Sequence, residues 1–334
     1  MKNQSERREE EPILTVNGLK VYFPISSGKL FVPPMPLKAV DDVSFELYSG
    51  ETLGVVGESG CGKSTLGRGI LQLIEPTAGE VIWEGKHLEG LPSKEMIIYR
   101  KNLQIIFQDP LASLNPRMTI GDIIAEPLTV HYPQLSNEQK KEKVAEIMEQ
   151  VGLLPQMINR YPHEFSGGQC QRIGVARAMI LRPKLIVCDE PVSALDVSIQ
   201  AQIVNLIQEL QQSFGLSLIF ISHDLSIVRH ISHRIMVLYL GNVMEVADKQ
   251  TLYDEPKHPY TKALISAVPI PDPELEKNKQ RIVLEGDLPS PLTPPSGCVF
   301  RTRCPIAKAI CAKEKPHLVE AGKNHQVACH FWDK

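Results

Sequence analysis

One run of eight residues constrains this chain more than any other. Gly57-Glu58-Ser59-Gly60-Cys61-Gly62-Lys63-Ser64 matches GxxxxGK[ST], the pattern of a phosphate-cradling loop. It follows TLGVVG (52–57), a short and almost wholly apolar run that reads as a strand buried on both faces. It opens STLGRGILQLI (64–74), which reads as a helix. Glycines let the backbone wrap so that successive amides turn inward, and the helix N-terminus adds positive potential. Lys63 is expected to reach β- and γ-phosphates, Ser64 to ligate Mg²⁺, and Thr65 to bond a further phosphate oxygen. The competing reading is a chance glycine-rich turn, which the strand–loop–helix context argues against.

The flanking pattern extends this to an α/β fold with a mainly parallel sheet. LIVCD (185–189) and LSLIFIS (216–222) read as two more buried strands. Between them SIQAQIVNLIQELQQSF (198–214) is an amphipathic helix, with Ile199, Ile203, Leu206, Ile207 and Leu210 on one stripe. Residues 137–151 read as a helix with a charged face. Near the start, ILTVNGLKVYF and LKAVDDVSFEL flank a Gly- and Pro-rich loop (24–36) and predict an antiparallel sheet. Residues 1–11 are polar and expected to fray. Beyond about residue 255, proline-rich runs at 269–273 and 289–297 suggest a separate C-terminal appendage.

Charge and hydropathy exclude several classes of function. Lys plus Arg number 36 and Asp plus Glu 39, a net charge of -3, which argues against a strongly basic nucleic-acid binder. Hydrophobic residues are 43% and charged residues 22%, an ordinary globular balance. No stretch approaches the ~18 apolar residues of a membrane span. MKNQSERREEE lacks the apolar core of a secretory signal, so a cytoplasmic location is expected. Seven cysteines in a reducing compartment then call for packing, metal binding or chemistry.

Asp189 and Glu190 end the LIVCD strand. Asp189 is expected to hold Mg²⁺ through water, and Glu190 to act as general base toward an attacking water. In isolation such a pair would be a solvated strand end; the phosphate loop favours the catalytic reading. His223 follows the next strand in FISHD, at the carboxyl edge where open α/β sheets bind ligands, which favours a γ-phosphate contact. Phe165-Ser166-Gly167-Gly168-Gln169 would normally be a turn, but QRIGVARAMI behind it makes it read as a helix N-terminus with a second anion site.

Taken together, these motifs resemble the ATP-binding subunits of ABC transporters, in family order over residues 12–250. FSGGQ is similar to the family signature, with Phe165 in place of leucine. Gln108 in IIFQDP resembles the Q-loop, Ser193-Ala194-Leu195-Asp196 the D-loop, and His223 the switch histidine. The resemblance implies an ABC-type P-loop NTPase: a RecA-like parallel-sheet core, an N-terminal antiparallel β subdomain and a helical subdomain at about 109–165. It places the nucleotide-binding domain at 12–255. It implies ATP with Mg²⁺ held through Ser64, Gln108 and Asp189, on a loop to which Gly57, Ser59, Gly60, Cys61 and Gly62 contribute. It also implies an aromatic stacked on adenine, Tyr22 or Phe23, with Phe23 favoured. Ser166, Gly167, Gly168 and Gln169 would contact the ATP of a second ABC subunit, in a homo- or heterodimer. Cys61, lying in the loop, is expected to make hydrolysis sensitive to thiol reagents.

Four cysteines cluster at C-x5-C-x6-C-x17-C: Cys298, Cys304, Cys311 and Cys329. Metal binding and free structural thiols both remain open from spacing, which is not that of a zinc ribbon. Residues 256–334, with HPYTKALISAVP and GDLPSPLTPPSGCVFRTRCP, resemble the cysteine-rich extension of the dipeptide/oligopeptide branch of ABC importers. That resemblance implies a 4Fe–4S cluster on those four cysteines, with Zn²⁺ as the alternative. It further implies two transmembrane permease subunits, an extracytoplasmic peptide-binding protein, no nucleic acid, and a peripheral position on the inner face of the membrane. Other readings are an importer for nickel or another small solute, and a soluble ABC ATPase acting on ribosomes or nucleic acid.

Overall fold

Short buried runs rich in β-branched residues set the strands. The computed structural model describes residues 11–26, 28, 34–269 and 272–333. The polar segment expected to fray lies, but for Glu11, outside them, as do part of the 24–36 loop and residues 270–271 of the PIPDP run. The chain divides into two units.

One unit holds Tyr48–Glu51 and Gly90–Ile221. Its strands β6 (Leu103–Ile106), β7 (Leu185–Asp189) and β8 (Ser217–Ile221) are parallel, with Leu103 beside Leu185 and Leu185 beside Ser217. All five residues of β7 and of β8 are buried, as a doubly covered parallel sheet requires. The unit's helices are α2 (Ser93–Arg100), α3 (Ile120–His131), α4 (Asn137–Gln150), α5 (Gly167–Met179) and α6 (Val197–Phe214). Side-chain caps start most of them: Thr119 for α3, Ser136 for α4, Ser166 for α5 and Asp196 for α6. Helix α4 buries only Val144, Ile147 and Met148 and leaves its charged face exposed. Helix α6 buries four of the five stripe residues; Ile199 is half-buried, and Val204 and Gln211 are buried in addition. Gln211 is inside because its amide donates to Gly50 O at 2.8 Å and to Leu216 O at 3.2 Å.

The other unit holds Pro12–Leu47, Thr52–Glu89 and the chain from Ser222. Strands β1 (Leu14–Ile25) and β2 (Met35–Leu47) pair antiparallel, as the alternating pattern predicts. Strand β4 (Ala78–Trp83) joins β1, and β5 (Lys86–His87) joins β4. A second sheet contains β3 (Thr52–Val56), β9 (Arg234–Tyr239) and β10 (Asn242–Asp248). It also contains β11 (Val319–Gly322) and β12 (His325–Val327). Strand β3 lies parallel to β9; the remaining pairings are antiparallel. The helix after β3, α1 (Lys63–Ile70), starts one residue before the predicted run and stops four short of its end, where Gln72 has φ 53°. Helices α7 (Leu225–Ile231), α8 (Lys249–Asp254), α9 (Pro259–Ala267), α10 (Pro273–Asn278) and α11 (Ala309–Lys313) complete the unit.

The segment after residue 255 is tied into this unit by a buried polar knot. Glu245, fully buried on β10, accepts the N–H of Lys257 at 2.7 Å and of His258 at 2.9 Å. His325 Nε2 of β12 lies 2.6 Å from the same carboxylate. Such a buried carboxylate is tolerable because its lone pairs are filled. His258 Nδ1 accepts the N–H of Tyr260 at 3.1 Å. Burial pulls the His258 pKa from about 6.5 down to about 4, although the Glu245 charge opposes this. The unfolded chain therefore takes up a proton that the folded chain refuses. The stability contributed by neutral His258 is full above ~6.5 and is lost as pH falls toward ~4, roughly 3 kcal/mol in all. Denaturant titrations from pH 7.5 to 4.5 should show that decline, and His258→Asn should flatten it. Equal slopes for both proteins would assign the acid sensitivity elsewhere.

Candidate functional site

The phosphate loop is built where the sequence placed it, between buried β3 and α1. Two of its glycines are obligatory. Gly57 has φ 155° and Gly62 φ 99°, and a Cβ would lie 2.2 Å from Leu238 O and 1.9 Å from Ala39 O, respectively. Gly62 caps α1 with no side-chain bond, so the first amides of that helix have no capping side chain. Lys63 is only 4% exposed. Its Nζ donates to Gly57 O at 2.9 Å and to Glu58 O at 3.1 Å, which folds the ammonium back over the loop. Ser59 and Gly60 are exposed at the loop tip, and Ser64 and Thr65 are half-buried in the first turn of α1. A cluster of amides at a helix N-terminus around one buried ammonium is a site for a polyanion.

Cys61 lies deeper than its place in the loop suggests. Its side chain is 1% exposed, its Sγ lies 4.0 Å from Lys63 Nζ, and burial pushes the thiol up. A thiol this buried is hard for a reagent to reach, and its side chain packs within the loop.

Two aromatic candidates stand side by side on β1. The Tyr22 hydroxyl bonds the Asp41 carboxylate, and the Lys38 ammonium lies 5.4 Å from its ring centre. Phe23 pairs with Leu37 and stays half-buried. Tyr22 is thus engaged on both ring and hydroxyl. His223 is exposed one residue beyond Ser222, whose N–H donates to Val55 O at 3.1 Å, so it stands at the end of β3 that feeds the loop.

The other unit carries the acids. Asp189 is 1% exposed at the end of β7. Glu190 follows with φ 45°, an uncommon setting that costs of order 1–3 kcal/mol and recurs at functional sites. Its N–H donates to Ile221 O at 3.1 Å, and its own carbonyl accepts Ser193 Oγ at 3.1 Å. Gln108 Nε2 donates to the Glu190 carboxylate at 3.1 Å, bringing two predicted residues together. The 193–196 loop is held by Gln200, whose amide donates to Val192 O at 3.1 Å and Leu195 O at 3.0 Å. Asp196 accepts from Ile199 N–H and from Ser198, whose hydroxyl bond lies foremost in holding its carboxyl below the usual range.

FSGGQ is a helix N-terminus rather than a turn. Ser166 caps α5, accepting Gln169 N–H at 3.4 Å, while Gln169 Oε1 accepts Ser166 N–H at 3.0 Å. Gln169 is therefore spent on the cap. Gly168 is buried against Ile199, where a Cβ would come within 2.5 Å of Cγ2. Ser166 itself is exposed. Arg177, further along α5, donates to Ser113 O at 2.6 Å and so ties the signature helix to the loop after Gln108. Arg177 and Gln200 went unnoticed in the sequence because their roles are bonds to distant backbone carbonyls.

Cys298 and Cys311 are buried, and Cys304 and Cys329 half-buried. Cys298 N–H donates to Cys311 O at 2.8 Å. Burial pushes the Cys298 thiol up to about 11, and the charges of Cys311, Cys304 and Cys329 add to this. Burial likewise raises Cys304 and Cys329, each within the field of Cys311. The four thiols are gathered, yet among the described residues no group of three or more Cys, His, Asp or Glu is placed to hold a metal ion. The four cysteines lie on a turn, a short helix and the segment after β12. No described helix is long and apolar enough to cross a membrane.

An ABC transporter family model matches residues 40–193, and a model of the oligopeptide/dipeptide transporter C-terminal region matches 244–311. The chain is 63% identical over 322 residues to the oligopeptide transport ATP-binding protein OppF of Haemophilus influenzae, covering 96% of this chain and 97% of that protein. Identity to OppF of Escherichia coli is 62% over 319 residues, with 95% of each covered. A dimeric ATP-binding cassette in a post-hydrolysis state, bound to ADP and Pi, superposes with a TM-score of 0.64 at 27% identity, covering 71% of this chain and 98% of that one. A dimeric bacterial ABC transporter cassette gives 0.63 at 26% identity with the same coverage. The reading as a soluble ATPase on ribosomes or nucleic acid gives way to this match. The chain belongs to the ABC transporter ATPases of the oligopeptide-transport branch, the ATP-hydrolysing, energy-coupling subunits of importers.

Proposed function

We propose that this ATPase binds Mg·ATP on the 57–64 loop and spends it on the uptake of oligopeptides. The observation that carries the ATP site is the Lys63 ammonium folded onto Gly57 O and Glu58 O beside the uncapped start of α1. Gly57, Ser59, Gly60, Cys61 and Gly62 contribute backbone to the phosphates, Lys63 charge, and Thr65 a hydroxyl. Phe23 stacks on adenine. Ser64, Gln108 and Asp189 would hold Mg²⁺, Asp189 through water, and the bound ion would supply positive charge against the phosphates. Glu190 takes a proton from the attacking water, and His223 contacts the γ-phosphate. The 3.1 Å bond from Gln108 supports this, since it fixes the direction of the Glu190 carboxylate.

A second ABC subunit, identical or related, would receive Ser166, Gly167 and Gly168 on its own ATP, with Gln169 holding their cap. The exposure of Ser166 and the dimeric state of the solved cassettes support this. The nucleotide-binding domain would span 12–255, with a helical subdomain at about 109–165, and the extension 256–334. Two permease subunits, fed by an extracytoplasmic peptide-binding protein, would dock on the helical subdomain from the membrane. A cavity of about 540 Å³ there, lined by residues including Met118, Thr119, Asp122, Glu126 and Lys140, suits a short helix. The chain would then be peripheral, on the cytoplasmic face.

Cys298, Cys304, Cys311 and Cys329 would hold a 4Fe–4S cluster, or Zn²⁺ instead. Four thiols, of which Cys298 and Cys311 are buried and Cys304 and Cys329 half-buried, are a donor set of the kind such a cluster or ion takes. Its part would be structural or regulatory, as hydrolysis transfers no electron.

Glu190→Gln should lower turnover by about 10²-fold or more and leave ATP affinity nearly intact; near-normal turnover would remove Glu190 as base. Lys63→Ala should weaken Mg·ATP binding by about tenfold or more, measured by calorimetry; an unchanged Kd would remove the loop from the site. Anaerobically purified protein should be brown, absorbing broadly near ~400 nm. Colourless protein with stoichiometric zinc would assign the thiols to zinc.

A further inference from the structure

Glu58 is the only acidic residue in the phosphate loop, and a carboxylate there faces a problem: the loop must accept a polyanion. Its surroundings answer that problem from far along the chain. Arg303 Nη1 donates to Glu58 Oε2 at 2.7 Å, across 245 positions of sequence. The Glu58 N–H donates to the Tyr260 hydroxyl at 3.0 Å. Its carbonyl accepts Lys63 Nζ at 3.1 Å. One loop residue is therefore gripped at carboxylate, amide and carbonyl.

The Arg303 pair is not an ordinary surface salt bridge. The arginine side chain is 10% exposed and the glutamate 28%, so solvent screens them poorly. Arg303 Nε is buried and makes no hydrogen bond, a cost accepted to aim the guanidinium at Glu58. Aromatic packing holds the donor in place. Phe300 lies 5.2 Å from Tyr239 and 5.3 Å from Tyr260, ring centre to ring centre, and Tyr239 meets Tyr260 edge-on at 4.8 Å. Arg303 N–H donates to Phe300 O at 3.0 Å, within the turn that separates Cys298 from Cys304.

We propose that Arg303 and Tyr260 are positioning residues for the ATP site: Tyr260 anchors the backbone of Glu58, and Arg303 cancels its charge beside the bound triphosphate. The C-terminal region thereby becomes part of the nucleotide-binding machinery. This rests on the phosphate-loop reading above and assigns that loop two partners outside the ATPase motifs.

A double-mutant cycle on the full-length chain tests it, with Kd for Mg·AMP-PNP measured by calorimetry. Arg303→Ala should raise Kd about tenfold, because an uncompensated carboxylate then faces the phosphates. In a Glu58→Gln background the same substitution should cost less than about twofold. Arg303→Lys should retain most of the affinity, and the Arg303→Ala deficit should shrink as salt rises from about 50 to 500 mM. If Arg303→Ala fails to fold by circular dichroism, Arg303→Gln and Arg303→Lys carry the cycle. Lys63→Ala separates the failures. Loss of binding in Lys63→Ala with no change in Arg303→Ala overturns this proposal alone. An equal Arg303→Ala penalty in both backgrounds also overturns it, since that is general loosening. Unchanged binding in Lys63→Ala overturns the loop reading and this inference with it.

Discussion

A buried lysine ammonium held by the carbonyls of its own loop is the interaction on which the rest depends. Lys63 donates to Gly57 O and Glu58 O only because the backbone between them curls through conformations that a Cβ would block. Those conformations are in turn enforced from outside: Ala39 of β2 crowds Gly62, and Leu238 of β9 crowds Gly57. Gly241 N–H also closes on Cys61 O at 2.9 Å. The loop is thus moulded by a strand pair and a strand end far apart in sequence, and its rigidity is what makes an array of amides worth more than solvated peptide.

The other unit uses helix starts in the same spirit. Ser166 and Asp196 satisfy the first amides of α5 and α6 with their own side chains, and the two helices meet at Gly168 and Ile199. A close approach of this kind requires the glycine and ties the signature to the loop carrying Asp196. Glu190 sits between these devices in a strained backbone, held by Ile221, Ser193 and Gln108. Strain of that order persists only when several bonds fix the residue at once.

The C-terminal region shows how a weakly patterned, proline-rich segment acquires definite structure. It contributes little regular secondary structure of its own, yet Tyr260 and Phe300 are fully buried, and β12 extends the sheet beside β10. The buried Glu245 carboxylate collects amides at 257 and 258 and the His325 ring, so distant stretches are fastened at one point. The four thiols, by contrast, are brought near each other without being closed into a site.

Composition and periodicity by themselves determined the buried strands β3, β7 and β8, the antiparallel start, the charged face of α4 and the phosphate loop, because each is a local pattern of apolar spacing or glycine. The signature was legible as a helix N-terminus for the same reason: serine, two glycines and glutamine carry their capping bonds within four residues. Strands β9 and β10 escaped notice although they are almost wholly buried, since RIMVLY and NVMEVAD take their identity from pairing with each other. The engagement of Tyr22 by Asp41 and Lys38, and the burial of the Cys61 side chain, are visible only in the folded chain. Only the tertiary structure decided that Glu58, Tyr260 and Arg303 meet. Contacts across some two hundred residues leave no periodic trace, because what selects them is the shape of the packed chain rather than the order of its neighbours.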